Sequence, residues 1–123
     1  MKNAIIILTV MLSILALTQS CKKDKSINST KKTINVSISS NETYQYDLGV
    51  FGDEEGASIN AQASHFQISK IERVEYVKLI YTYTPTKDFV GTDAVELKAE
   101  RGSDGASPND EITIIVIKFI ITN

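Results

Sequence analysis

Four sets of residues carry types that could do chemistry. Cys21 is the single cysteine, His65 the single histidine, and tryptophan is absent. A zinc centre draws about four ligands from Cys, His and carboxylates, and a disulfide needs two cysteines, so this inventory leaves little for either. Ser64-His65 sets a hydroxyl beside an imidazole. Neighbours on a strand point to opposite faces, which denies them the hydrogen bond that activates a nucleophile. His65 is therefore read as a half-exposed strand residue and catalysis is not expected. Asp53, Glu54 and Glu55 stand between Gly52 and Gly56 and offer oxygen ligands of the kind calcium takes. The stretch lacks EF-hand spacing, and a solvated acidic loop is the expectation, with no cofactor. Tyr44, Tyr46, Tyr76, Tyr81 and Tyr83 could stack on sugar rings. Most of them fall in core-type phases of alternating segments, so burial is expected instead. Glycoside hydrolysis needs two carboxylates across a cleft, which a small fold without long insertions does not supply.

These residues sit on a chain with a composite plan. Met1-Lys2-Asn3 is a short positive start, and residues 4–17 (AIIILTVMLSILAL) are apolar apart from Thr9 and Ser13. At about 1.5 Å per residue this run makes roughly 21 Å of helix, short of a hydrocarbon core of roughly 30 Å. A positive start, a short apolar core and a small residue at its end read as an export signal. Leu17-Thr18-Gln19-Ser20-Cys21 then resembles the lipobox of bacterial lipoproteins, in the looser Bacteroidetes form. That resemblance implies cleavage before Cys21, lipid on its thiol, and anchoring to the outer membrane on its periplasmic or surface face. Dual acylation is the regime in which such anchoring is stable. The expected division is a signal peptide over 1–20, a lipidated cysteine and flexible tether over 21–32, and one domain over 33–123. With 13 basic and 15 acidic residues, the chain has no electrostatic footprint for nucleic acid.

From Thr33 onward the hydropathy pattern has period two. Ile34, Val36 and Ile38 alternate with polar residues, as do Tyr44, Tyr46 and Leu48, and then Val77, Leu79, Tyr81 and Tyr83. Gly49 to Gly56 reads as a loop. Ala57 to Ser69 is mixed, with Phe66 and Ile68 on one face and a bulge or sheet switch expected. Val95, Leu97 and Ala99 alternate with Glu96, Lys98 and Glu100. Residues 101–110 (RGSDGASPND) form a turn-rich loop. Strands spaced by roughly ten residues, with no sustained helical period, predict an all-β immunoglobulin-like sandwich of about seven strands. Roughly 90 residues bury only a modest core.

Within that frame, residues 81–99 (YTYTPTKDFVGTDAVELKA) resemble the strand-turn-strand signature of bacterial immunoglobulin-like and cadherin-like modules. Tyr83, Pro85, Phe89, Gly91 and Asp93 take the signature positions, followed by Val95 and Leu97. Pro85 ends strand pairing because it has no N–H, and Phe89 plugs the open end of the sandwich. Gly91 suits a positive φ or a close backbone approach. Asp93 binds nearby backbone N–H groups. The last strand, Ile112 to Ile121, has two apolar faces. Ile115, Ile117, Phe119 and Ile121 form one. Ile112, Ile114 and Val116 form the other, and are read as an interaction surface or as residues covered from within, with the Ala57 to Val74 region the favoured cover. The resulting expectation is a non-catalytic envelope lipoprotein module for adhesion, assembly or binding. Its partners would be the membrane, through Cys21, and an unidentified envelope protein or glycan. The alternative is a carbohydrate- or calcium-binding accessory module.

Overall fold

The computed structural model describes residues 26–123, and the expected signal peptide over residues 1–20, Cys21 and Lys22 to Lys25 lie outside the described residues. The described chain is all β. Its seven strands are β1 (Asn28–Ser39), β2 (Tyr44–Val50), β3 (Gly56–Ala61), β4 (Phe66–Val74), β5 (Lys78–Pro85), β6 (Gly91–Arg101) and β7 (Glu111–Thr122). They form a four-stranded sheet in the order β1-β7-β6-β3 and a three-stranded sheet in the order β2-β5-β4, an immunoglobulin-like β-sandwich. β1 and β7 run parallel in unbroken register from Asn28↔Glu111 to Ser39↔Thr122, and the other pairings are antiparallel.

The inward residues of the strands make the core. Tyr81, Tyr83, Leu97 and Ile117 are fully buried, with Val95, Ala99, Phe119 and Ile121 nearly so. Tyr83 stacks on Phe119 with ring centroids 3.9 Å apart, and Tyr44 meets the same ring edge-on at 5.6 Å. Phe119 thus joins the sheets, stacked on Tyr83 of β5 and met by Tyr44 of β2 in the favoured edge-to-face geometry.

The strand directions give the sandwich two ends. At the entry end lie Asn28, Val50, Gly56, the β4–β5 loop, Arg101 and Glu111; at the far end lie Ser39, Tyr44, Ala61, Phe66, Pro85, Gly91 and Thr122.

Three sequence expectations change. First, the flexible tether does not extend to residue 32. Asn28 to Lys32 belong to β1, paired with Glu111 to Ile115, and Asn28 N–H donates to the Asp110 carbonyl at 2.8 Å. Second, the Ala57 to Val74 region does not cover the outer face of β7. β3 joins the edge of the same sheet and β4 the opposite sheet, with the sheet switch in residues 62–65. Ile112, Ile114 and Val116 are instead half-buried between the rows of their own neighbours. Ser29, Lys31 and Thr33 flank them on β1, and Glu100, Lys98 and Glu96 on β6. Lys31 Nζ reaches Glu96 Oε2 at 3.4 Å, across β7, and Asn60 Nδ2 on β3 donates to Glu96 Oε1 at 2.6 Å. The aliphatic stems of these long side chains shield the isoleucines while their heads stay wet. Third, Val77 faces solvent, and Phe51, in a stretch read as loop, is a core residue. A bulge between Asp47 and Gly49, with Gly49 at φ 95°, turns the end of β2 inward to bury it.

Candidate functional site

The signature residues converge at the far end, around Asp93. Asp93 opens the inward row of β6 and is only 8% exposed. Its Oδ1 accepts from the backbone N–H of Ser64 at 2.9 Å and of Ala94 at 2.9 Å. Its Oδ2 accepts from His65 N–H at 2.8 Å and lies 3.0 Å from the Tyr83 hydroxyl. The same hydroxyl lies 3.1 Å from the His65 carbonyl. One carboxylate therefore ties β6 in one sheet to β5 in the other and to the segment that crosses between them. Burial opposes its ionisation, but the Ser64, His65 and Ala94 N–H groups together with Tyr83 hold the Asp93 carboxyl below its usual range. Burial, and secondarily the Asp93 charge, pushes the Tyr83 hydroxyl far up. Tyr81, bonded to Ser69 Oγ at 2.8 Å, is pushed up to about 12, chiefly by burial.

From the sequence, Asp93 is expected to bind nearby backbone N–H groups. Ala94 fits that description, but Ser64 and His65 lie 29 and 28 residues away. Ser64 and His65 also do not stand on a strand; they occupy the β3–β4 connection. The His65 ring stacks on Phe89, with centroids 4.1 Å apart and planes 6° from parallel. Phe89 itself is half-buried against the core, and Pro85 is fully buried. Gly91 has φ 150°, and a Cβ placed on it would meet the Phe89 ring at 3.1 Å.

Beside this tie, on the outer face of the four-stranded sheet, lies a groove of about 500 Å³. Asn35, Ala94, Lys118 and Ile120 are among the residues that line it, and Ser64 and His65 contribute from the β3–β4 connection.

The acidic stretch is at the other end. Glu55 accepts from Gly52 N–H at 3.0 Å and from Gly102 N–H at 2.9 Å, and these two bonds lower its carboxyl below the usual range. Glu54 accepts from Ser103 Oγ at 3.1 Å. Glu54 and Glu55 thus knit two loops together; Asp53 is exposed. Among the described residues no cluster of three His, Cys, Asp or Glu side chains is arranged to hold a metal ion. The tyrosines are dispersed too: Tyr81 and Tyr83 are in the core, Tyr44 and Tyr46 half-buried against it, and Tyr76 is 93% exposed at the entry end.

The entry end also holds a tie that the sequence did not suggest. Arg101 lies over the Phe51 ring, its Cζ 3.8 Å from the centroid, and donates to the Leu48 carbonyl at 2.8 Å. An aromatic between two glycines, with an arginine closing a later strand, was the available signal.

No family model matches the chain, and no curated protein does. Solved structures similar to it include a cysteine protease inhibitor, EhICP2, from Entamoeba histolytica. That likeness has 14% identity and a TM-score of 0.48, and covers 76% of this chain and 97% of that one. An endo-fucoidan hydrolase of glycoside hydrolase family 107, MfFcnA4, is similar at 15% identity and a TM-score of 0.48, over 74% of this chain but only 13% of the hydrolase. Amebosin is similar at 12% identity and a TM-score of 0.46, over 76% of this chain and 98% of its own.

Proposed function

We propose that this chain is a non-catalytic envelope lipoprotein module, held to a bacterial membrane by lipid on Cys21 and serving adhesion, assembly or binding. The observation that carries the reading is the spacing between the LTQSC box and a folded sandwich whose first strand opens at Asn28. A lipidated cysteine followed within a few residues by a rigid strand presents a domain at a surface. The chemistry at Asp93 supports a scaffold role: its oxygens are engaged by three backbone donors and a tyrosine, leaving it poorly placed to exchange protons with a substrate. Changing Cys21→Ala is expected to abolish labelling by a fatty-acid analogue and to release the protein from the membrane fraction. Unchanged labelling refutes the anchor. Cross-linked pull-down from envelope extracts then identifies the partner.

A carbohydrate-binding accessory module is the second reading. It is favoured by the polar side chains of Asn35, Thr92 and Lys118 around the groove beside Asp93. A glycan array compared between the parent and Lys118→Ala tests it; no glycan signal above background counts against it.

A further inference from the structure

Of nine exposed large apolar side chains among the described residues, five lie at the entry end, Ile27, Val50, Val74, Tyr76 and Val77, while Phe66, Ile68, Val90 and Ile120 lie toward the far end. Ile27 is 63% exposed, Val50 65%, Tyr76 93% and Val77 42%. Three of them belong to one structural unit: Phe51 N–H donates to the Val77 carbonyl at 2.8 Å, which holds Val50 beside the β4–β5 loop. That loop is braced rather than loose. Arg73 donates to the carbonyls of Tyr76 at 3.4 Å and Phe51 at 3.3 Å. Glu75 and Tyr76 sit at φ 50° and 66°, a left-handed conformation unfavourable for a non-glycine residue. A tip held in this conformation and ending in an exposed tyrosine and valines is an apolar surface without a partner in the described residues.

We infer that this tip rests in the interface of a neutral lipid bilayer. The inference depends on the anchoring of Cys21 proposed above. Six residues separate Cys21 from Asn28, a reach of roughly 24 Å at full extension. The strands of the domain are longer: the twelve residues of β1 span roughly 40 Å. A lipid on Cys21 therefore keeps the entry end, not the far end, within reach of the bilayer at high effective concentration. Tyrosine is among the residues enriched at membrane–water interfaces, where its ring is apolar and its hydroxyl stays wet. The choice of neutral lipid follows from charge. Of the cations at this end, Lys78 is paired with Asp47, and Arg73 and Arg101 donate to backbone carbonyls. Asp53, Glu54 and Glu75 stand in its loops and oppose the tether's Lys22, Lys23 and Lys25, so association comes from apolar insertion.

Because the chain contains no tryptophan, one indole reports its own depth. The lipidated full chain carrying Tyr76→Trp is reconstituted in phosphatidylcholine vesicles with brominated acyl chains and compared with Thr86→Trp, at the far end. The expected result is several-fold stronger quenching by bromolipid at position 76 than at position 86, unchanged at high salt. Equal quenching at the two positions, with Cys21 labelled by a fatty-acid analogue on the same sample, overturns the docking alone. Absence of that label overturns the anchor and this inference with it. Quenching at position 76 that needs phosphatidylglycerol and vanishes in salt overturns the apolar mechanism.

Discussion

Asparagine at position 93 separates the shape of the Asp93 tie from its charge. Asp93→Asn keeps Oδ1, and with it the Ser64 and Ala94 contacts. In place of Oδ2 it turns an N–H₂ donor toward His65 N–H, 2.8 Å away, while the Tyr83 hydroxyl can rotate to accept. One charge-assisted bond is lost and replaced by two facing donors, an expected loss of about 2–3 kcal/mol at neutral pH. Asp93→Ala strands every donor, and about 3–5 kcal/mol is expected. Tyr83→Phe keeps the carboxylate, its three N–H donors and the stack on Phe119, and about 1 kcal/mol is expected. The sign of the pH dependence follows from the lowered carboxyl. The stability that Asp93 contributes is complete above its unfolded pKa, about 3.9, and is lost as pH falls through the lower folded value. The gap between parent and Asp93→Asn should therefore narrow only in acid below about pH 4. Urea denaturation followed by near-ultraviolet tyrosine dichroism, repeated down the acid range, measures both quantities. A midpoint for Asp93→Asn equal to the parent's at neutral pH, or a gap that stays constant into acid, refutes the reasoning.

Three further outcomes are expected. Gly91→Ala should cost more than about 1 kcal/mol, because its φ of 150° is strained for an L residue and its Cβ meets the Phe89 ring at 3.1 Å; an unchanged urea midpoint would remove the argument. Arg101→Ala should cost about 1–3 kcal/mol through the lost Leu48 bond and the contact with Phe51, and Arg101→Lys should recover only part of it in thermal melts. In alkali the buried tyrosines set the limit: raised folded values mean that their contribution is intact below the free tyrosine pKa and lost as pH climbs toward about 12, where Tyr81 titrates. Tyrosinate absorbance from Tyr81 and Tyr83 should then rise cooperatively with unfolding; their smooth titration near pH 10 would contradict the burial.

The strands that alternate were legible before any coordinates. Val95, Leu97 and Ala99 on β6 and Ile115, Ile117, Phe119 and Ile121 on β7 line the core, and seven strands in two sheets follow from that rhythm. The first residues of β1 were not legible, because Asn28 to Lys32 carry no apolar signal. Their strand state is decided by a distant partner, β7, whose outer isoleucines need flanking stems for cover. Phe51 escaped because the bulge between Asp47 and Gly49 resets the alternation ahead of it. At the far end the sequence showed Tyr83, Phe89, Gly91 and Asp93 as a group, yet not the crossing to Ser64 and His65. No local pattern encodes which distant backbone N–H groups a buried carboxylate will find.

The parallel register of β1 and β7 has a mechanical consequence. β1 begins at the entry end and β7 finishes at the far end, so tension between Asn28 and Asn123 pulls the two strands past each other along their length. Every rung from Asn28↔Glu111 to Ser39↔Thr122 then bears load at once, in shear. An antiparallel pair pulled from one end would peel rung by rung. A domain tethered beyond Asn28 and gripped near its last strand would thus meet force in its most resistant direction and stay folded while its leash drew taut.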